Sequence, residues 1–113
     1  MAKRESSNFL LAVDLAGAQP VVRIVGEVDM ANSPAVKNTL AELVEGGHLA
    51  VVVDLTEVTF MDSSGLHVLV ETQRRLSEFG GKVVLRRPRP AVGRLLEVTG
   101  ITAIFELEDD SVE

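Results

Sequence analysis

The chain alternates short apolar runs with segments in which apolar residues recur at helical spacing. Runs of about 4–8 mostly apolar residues are typical of strands, and apolar positions three and four residues apart indicate the buried face of a helix. The predicted strands cover residues 9–15, 21–25, 49–55 and 82–85, with a short strand or turn at 101–105. The predicted helices lie between these strands: after Ser33, from near Ser64, and at 91–98.

Serine, proline and glycine residues mark the predicted helix ends. Ser33 is a favoured N-cap, and Pro34 follows at the first helical position. The first helix is expected to end at the glycine pair 46–47 and the second at the glycine pair 80–81. Glycine is favoured at these positions because it readily adopts the left-handed backbone conformation that often follows a helix.

The order of the predicted elements is β-β-α-β-α-β-α-β. The first two strands flank a connector with Gly and Pro and are expected to form an antiparallel hairpin. Later strands alternate with helices, and right-handed strand-helix-strand connections place such strands parallel. The expected fold class is α/β, a mixed and mostly parallel sheet with an N-terminal antiparallel strand. One domain is expected over 1–113, with a short flexible N-terminus at about 1–7 and an acidic C-terminal tail at about 107–113.

The predicted topology points to one edge of the sheet as the place for a site. The carboxyl ends of parallel strands lie along the same edge, and open α/β sheets bind ligands or partners there. The loops expected at that edge are 27–33, 56–63 and 87–90. The turn Asp-Ser-Ser-Gly at 62–65 lies in the middle loop, so a site is expected around it.

Charge and composition argue against several function classes. The formal net charge is −6, but five of the seventeen acids lie in the last eight residues, and without them twelve acids oppose eleven bases. The resulting balance of −1 leaves no sign of a basic face, so we expect no nucleic-acid partner. No apolar run approaches the roughly 18–20 residues that span a membrane, so we expect no membrane insertion. Without cysteine there is no disulfide or thiolate metal site, and we expect a cytoplasmic protein with no cofactor and no metal.

The turn at 62–65 has three interpretations from its residues alone. Its polar side chains suit a helix cap, because they accept hydrogen bonds from free N–H groups of the first turn. A serine nucleophile is disfavoured, since the Gly-x-Ser-x-Gly elbow is missing and neither His48 nor His67 is placed to act as a base. We therefore expect no enzyme and no catalytic residue. The third interpretation is a phosphoacceptor, because a phosphoserine adds about −1.5 to −2 charges and a helix N-terminus can hold them.

Two segments carry a family resemblance. Val-Asp-Leu at 53–55 and Phe-Met-Asp-Ser-Ser-Gly-Leu at 60–66 closely resemble the signature of bacterial anti-sigma factor antagonists, which are single-domain STAS proteins of partner-switching systems. Weaker similarity extends the resemblance over about 9–106, through residues 26–29, 80–85, 90–96 and 99–101.

The resemblance implies a regulatory binding protein. In this family the antagonist binds an anti-sigma factor that is also a serine kinase, and this frees a sigma factor to join RNA polymerase. The kinase phosphorylates the first serine after the motif aspartate, which corresponds here to Ser63. The phosphorylated form no longer binds, and a PP2C-type phosphatase restores it.

The residues around Ser63 receive expected roles from the same resemblance and topology. Ser64 is expected to cap the helix, and Asp62 to orient the Ser63 hydroxyl, to assist docking or to cap the helix. Gly65 allows tight packing, and His67 occupies a place where many relatives carry a small residue, which suggests an effect on partner choice. The expected partner-binding residues are Glu27, Asp29, Asp62, Ser63, Ser64, Gly65 and His67.

Two alternatives stay open. The basic cluster Arg86, Arg87 and Arg89 is either a solvated loop or a source of cations, and the predicted topology would let Arg87 or Arg89 pair with phosphate on Ser63. The rival function is a STAS subunit that is not phosphorylated and serves as a structural or regulatory module, for example in a lipid-transport complex. The intact motif favours the antagonist switched by phosphorylation.

Overall fold

The central sheet keeps its strands in chain order. The structure, a computed structural model, describes the backbone of residues 2–6 and all of residues 9–108. Within those residues the strands are β1 (Ala2–Ser6), β2 (Phe9–Asp14), β3 (Val21–Val28), β4 (Ala50–Met61), β5 (Lys82–Arg86) and β6 (Glu106–Glu108). The helices are α1 (Ser33–Glu45), α2 (Ser63–Ser77) and α3 (Pro90–Val98), and Thr102–Ile104 forms a short 3-10 helix.

The pairing of the strands confirms the expected α/β fold class. β1 and β3 lie antiparallel to β2, whereas β3, β4, β5 and β6 are parallel to one another. Right-handed connections between successive parallel strands place α1, α2 and α3 on one face of the sheet. The aliphatic core lies between that face and the helices, and it includes Leu11, Ile24, Leu40, Val53 and Leu69.

Both outermost strands of the sheet differ from the prediction. Ala2–Ser6 pairs with β2 as a strand, whereas the sequence predicts a flexible segment at about 1–7. Edge pairing joins backbone groups and needs no alternating apolar pattern, so the side chains carry no signal for it. At the other edge the strand is Glu106–Glu108 rather than 101–105, and it includes the start of the expected acidic tail. The remainder of that tail, 109–113, lies outside the described residues.

Strand β4 continues to Met61, whereas the sequence predicts its end at residue 55 and a loop at 56–63. The register of β4 against β3 shifts twice, which indicates bulges in the pairing. The bulges break the period of two, so the buried residues Leu55, Val58 and Met61 recur at every third position. Asp62 alone is left to connect β4 to α2.

Candidate functional site

The carboxyl ends of β3 and β4 bring two connections together at one edge of the sheet. Val28 and Met61 are paired at the strand ends, and the backbone N–H of Asp62 donates to the carbonyl oxygen of Val28 at 3.1 Å. The loop 29–32 leads from β3 into α1, and Asp62 leads from β4 into α2. Helices α1 and α2 consequently begin on either side of one groove.

Asp62 is the N-cap of α2. Its Oδ1 atom accepts hydrogen bonds from the backbone N–H of Ser64 at 2.9 Å and of Gly65 at 3.3 Å. The same oxygen accepts a third bond from the Ser64 hydroxyl at 2.5 Å. The predicted capping role of Ser64 is therefore wrong, because Ser64 is already inside the helix and its hydroxyl is a donor to the cap.

These hydrogen bonds lower the pKa of the Asp62 carboxyl below its ordinary value. The Ser64 hydroxyl is the main cause, and partial burial opposes it by raising the pKa. Backbone N–H groups of Gly65, Ser64 and Met30 lower the pKa further, since each stabilises the ionised form. Asp62 is consequently a carboxylate at neutral pH.

The two serines of the motif have different environments. Ser63 is the first residue of α2 and is exposed, and among the described residues its hydroxyl has no hydrogen-bond partner. Ser64 is half-buried, and its hydroxyl is bound to Asp62. An approaching protein would thus meet the hydroxyl of Ser63 first, because that hydroxyl need not break a bond to react.

Gly65 permits close packing of α2 on the strand ends. A Cβ atom at Gly65 would lie 2.7 Å from Cγ1 of Val28 and 2.9 Å from Cγ of Met61, closer than such carbon atoms approach. The absence of a side chain therefore sets the height of α2 above β3 and β4, and with it the position of Ser63.

The loop 29–32 is held by its own side chains. The Asp29 carboxylate accepts hydrogen bonds from the backbone N–H groups of Ala31 at 2.9 Å and Asn32 at 3.2 Å. The Asn32 amide donates to the carbonyl oxygen of Glu27 at 2.8 Å and accepts from the N–H of Asp29 at 2.9 Å. Asp29 is therefore bound within the loop, whereas the side chain of Glu27 is exposed.

The helix α1 begins one residue away from its predicted start. Its N-cap is Asn32, and Ser33 is the first helical residue and is buried, so the predicted cap at Ser33 is wrong. The backbone N–H of Ser33 donates to the carbonyl oxygen of Asp29 at 2.8 Å. The start of α1 is thus held by a carbonyl oxygen of the loop, and its N-cap makes no side-chain capping bond.

Two exposed apolar side chains near Asp62 were not predicted as site residues. Met30 is 75% exposed, and its backbone N–H contributes to the lowered pKa of the Asp62 carboxyl. Phe60 is 49% exposed and pairs across the sheet with Glu27. Exposed apolar residues at a polar turn suggest a surface that a partner covers. Phe60 lies in the quoted motif, but its exposure depends on the bulges of β4.

A groove between α1 and α2 opens beside Ser63. Its lining includes Lys37 and Asn38 from α1 and Ser63 and His67 from α2. Lys37 was not predicted as a site residue, because the sequence does not reveal which side of α1 faces α2. The groove continues along the helices past Glu71 and ends near Arg75, with Lys37 and His67 common to both parts.

The predicted cations Arg87 and Arg89 do not line this groove. Arg87 has a positive φ of 48°, and its backbone N–H donates to the carbonyl oxygen of Glu108 at 2.9 Å. Arg89 is the N-cap of α3. Their pairing with phosphate on Ser63 stays a prediction.

Two further features bear on possible ligands. Within residues 9–108 no group of three or more His, Cys, Asp or Glu side chains is arranged to hold a metal ion. Among the helices that the structure describes, none is both long and apolar enough to cross a bilayer. The groups that the site does expose are a hydroxyl, apolar side chains and charged side chains, a combination that suits contact with another protein.

Comparison with known proteins adds the family to this geometry. The STAS domain family matches residues 12–113 of the chain. This protein belongs to the STAS family. Among its STAS relatives, the anti-sigma-B factor antagonist of Listeria monocytogenes serovar 1/2a is 34% identical over 76% of this chain and 75% of the relative. The anti-sigma-B factor antagonist of Bacillus subtilis strain 168 is 32% identical over 80% of this chain and 82% of the relative.

Solved structures of STAS proteins have the same fold. An anti-sigma factor antagonist from Mycobacterium paratuberculosis is 30% identical, with a TM-score of 0.80 over 88% of this chain and 85% of that chain. The anti-sigma factor antagonist SpoIIAA in its unphosphorylated form is 20% identical, with a TM-score of 0.77 over 89% of this chain and 88% of that chain. The resemblance to the single-domain STAS antagonists is therefore confirmed.

Proposed function

We propose that this STAS domain is an anti-sigma factor antagonist whose binding is ended by phosphorylation of Ser63. In this proposal the partner is an anti-sigma factor with serine kinase activity, and binding releases a sigma factor for RNA polymerase in the cytoplasm. The observation that carries the proposal is the free, exposed hydroxyl of Ser63 beside the bound hydroxyl of Ser64.

The chemistry asks for no catalytic group on this chain. The kinase transfers the γ-phosphoryl group of ATP to Oγ of Ser63 and releases ADP, and a base of the kinase takes the hydroxyl proton. A PP2C-type phosphatase hydrolyses the phosphate ester and returns the hydroxyl with inorganic phosphate. This domain acts as a substrate in both steps, so its task is to present Ser63 in a fixed position.

The fixed position follows from Asp62 and Gly65. The Asp62 carboxylate binds two N–H groups of the first turn of α2, and Gly65 lets that turn lie on the ends of β3 and β4. A phosphate on Ser63 then adds charge and volume at the surface without taking a hydrogen bond from the fold. The change in binding arises at the interface, where a docked partner meets about two negative charges.

The proposed partner surface combines apolar and acidic residues. Met30 and Phe60 supply exposed apolar area, and such residues commonly form the desolvated centre of an interface. Glu27 provides an exposed charge on the neighbouring strand end, while Asp29 and Asp62 shape the backbone. We assign partner contact to Glu27, Met30, Phe60, Ser63 and His67.

Similar proteins also support the proposal. Relatives 32–34% identical over most of this chain are named anti-sigma-B factor antagonists. SpoIIAA of Bacillus, 19% identical with a TM-score of 0.73 over 89% of this chain and 91% of that chain, has been solved in a phosphorylated form. That protein has this fold, so the fold accommodates a phosphate.

The test uses the full chain with anti-sigma factors of the kinase type from the same genome. Calorimetry measures binding of the unaltered protein, Ser63→Ala and Ser63→Asp, and mass spectrometry maps phosphate after incubation with ATP. Phosphate is expected on Ser63, Ser63→Ala is expected to stay bound in the presence of ATP, and Ser63→Asp to bind at least about tenfold more weakly. Ser77→Ala, on the same helix, is the matched control and should behave as the unaltered protein.

The opposite result has a definite meaning. If no kinase modifies Ser63 and if Ser63→Ala and Ser63→Asp bind every partner equally, the proposed switch is wrong. The protein would then be better described as a STAS subunit that is not phosphorylated, such as a structural or regulatory module in a lipid-transport complex.

A further inference from the structure

The helix N-terminus at Ser63 has little capacity left for a phosphate. The N–H groups of Ser64 and Gly65 donate to the Asp62 carboxylate, and the N–H of Asp62 itself donates to the carbonyl oxygen of Val28 at 3.1 Å. Three of the four N–H groups that usually bind an anion at a helix start are thus occupied. A phosphate on Ser63 would therefore find few free N–H groups at the helix start, and we expect it to need other donors.

Asp62 makes this need stronger. It lies next to Ser63 in the chain, and its hydrogen bonds favour the carboxylate over the neutral acid. A phosphate on Ser63 therefore meets a negative charge close by, and like charges at short range repel. Positive groups on another side of Ser63 would offset this repulsion.

The groove between α1 and α2 supplies such groups. Ser63 and His67 are four residues apart on α2, so their side chains lie on the same helix face. Lys37 lies across the groove on α1, and among the described residues it has no ion-pair partner. A lysine ammonium is a mobile charge on a long stem and can follow a phosphate that rotates about Cβ of Ser63.

The acids facing this groove leave the side chains of Lys37 and His67 available. Glu71 lies 3.8 Å from Nε2 of His67, but its carboxylate also accepts a closer bond from Arg74 at 3.0 Å. The other acid near Ser63 is Asp62, whose carboxylate is bound to Ser64 and Gly65. Lys37 and His67 thus lack a partner that would outcompete a phosphate dianion.

We propose that Lys37 and His67 form the receptor for the phosphate on Ser63, which turns the modified side chain into the groove between α1 and α2. This inference deepens the proposed function and rests on it for its biological role. The phosphate then has two effects on a partner: it adds negative charge at the edge of the sheet, and it neutralises a lysine that the unmodified protein leaves exposed.

The test places phosphoserine at position 63 of the full chain by genetic encoding, so that no kinase is required. Phosphorus NMR follows the second ionisation of the phosphate, which for a free phosphoserine lies near pH ~6. Positive neighbours favour the dianion, so the phosphate pKa should be lower in the folded protein than in a phosphopeptide of residues 59–67. Lys37→Ala and His67→Gln should each raise it by about half a unit, as expected for exposed pairs.

Two further variants make the result decisive. Lys82 lies at the start of β5, at the opposite end of the strands from Ser63, and its ammonium donates to Glu106 at 2.7 Å. Lys82→Ala should therefore leave the phosphate pKa unchanged. The double change Arg87→Ala and Arg89→Ala tests the other cations of the edge. Lys37 is exposed on α1, so its replacement is not expected to disturb the fold, and circular dichroism checks this.

Each outcome either supports or overturns the receptor. A shift confined to the Lys37 and His67 variants supports it. Equal values in all variants, or a shift only in the Arg87 and Arg89 variant, would overturn it. The proposed function can fail separately. If Lys37 and His67 bind the encoded phosphate but no kinase modifies Ser63, the receptor is supported and the proposed switch is wrong.

Discussion

The carboxylate of Asp62 accepts both the hydroxyl and the backbone N–H of Ser64, at 2.5 and 2.9 Å. This double contact assigns different tasks to adjacent serines, since Ser64 is bound to the cap and Ser63 remains free to react. The motif thereby combines a structural function and a proposed signalling function in neighbouring residues.

Removal of the cap should destabilise the domain. Asp62→Ala removes the acceptor of two backbone N–H groups, so the free energy of unfolding should fall by about 1 kcal/mol, within the range of about 0.5–2 measured for helix caps. Urea denaturation followed by circular dichroism measures the change. Asp14→Ala is a control, because Asp14 accepts one N–H bond in an exposed hairpin and caps no helix. An equal loss in both variants would contradict the capping role.

The contribution of Asp62 should depend on pH. Its folded pKa is lowered, so its stabilisation is fully present above the pKa of the unfolded state, near ~3.9, and is lost as the pH falls through the lower folded pKa. The difference in unfolding free energy between the unaltered protein and Asp62→Asn should therefore be constant from pH 7 to about pH 5 and should shrink in more acid solution. A difference that grows toward low pH would show that the pKa is raised.

A side chain at position 65 should disturb the site. The new Cβ atom of Gly65→Ala would overlap Val28 and Met61, so the unfolding free energy should fall by about 1–3 kcal/mol, and partner binding should weaken because Ser63 moves with α2. Gly93→Ala is the matched control within α3, since no atom lies within 4 Å of its Cβ position. That variant should be neutral or more stable by up to about 1 kcal/mol, because alanine favours helices. Equal stability of the two variants would contradict the packing role of Gly65.

Loss of the exposed apolar groups should weaken binding while the fold keeps its stability. Met30→Ser and Phe60→Ser remove side chains that are 75% and 49% exposed, so each should raise the dissociation constant for the anti-sigma partner by about tenfold or more. Phe79→Ser is the control, because Phe79 is 67% exposed at the opposite edge of the sheet. Calorimetry and thermal denaturation separate the two effects. Unchanged affinity in both site variants would exclude this surface as the interface.

The sequence predicts the order of helices and strands in the core well, because apolar periodicity reports which residues are buried. It fails where burial does not control pairing or spacing. Strand Ala2–Ser6 pairs through its backbone, and the bulges of β4 change the spacing of buried residues near Met61. Neither feature produces a regular spacing of apolar residues from which it could be predicted.

The candidate site was located by topology and by the motif, but its details depend on tertiary contacts. Serine and aspartate both favour helix caps, so residue type alone does not decide between Asp62 and Ser64. In the chain, Lys37 on α1 and Ser63 on α2 are separated by the whole of β4. Lys37 lies near Ser63 only because α1 and α2 pack side by side. The exposure of Met30 likewise follows from the shape of a loop.

The free hydroxyl of Ser63 also has a consequence for protein turnover. No hydrogen bond among the described residues uses this hydroxyl, so phosphorylation breaks no contact of the fold and is not expected to raise the population of unfolded chains. Proteases degrade proteins largely through such open states, and the phosphorylated form should then live at least as long in the cell as the unmodified form. In the proposed switch, the inactive form would accordingly have to be reactivated by the phosphatase, because degradation would not remove it selectively.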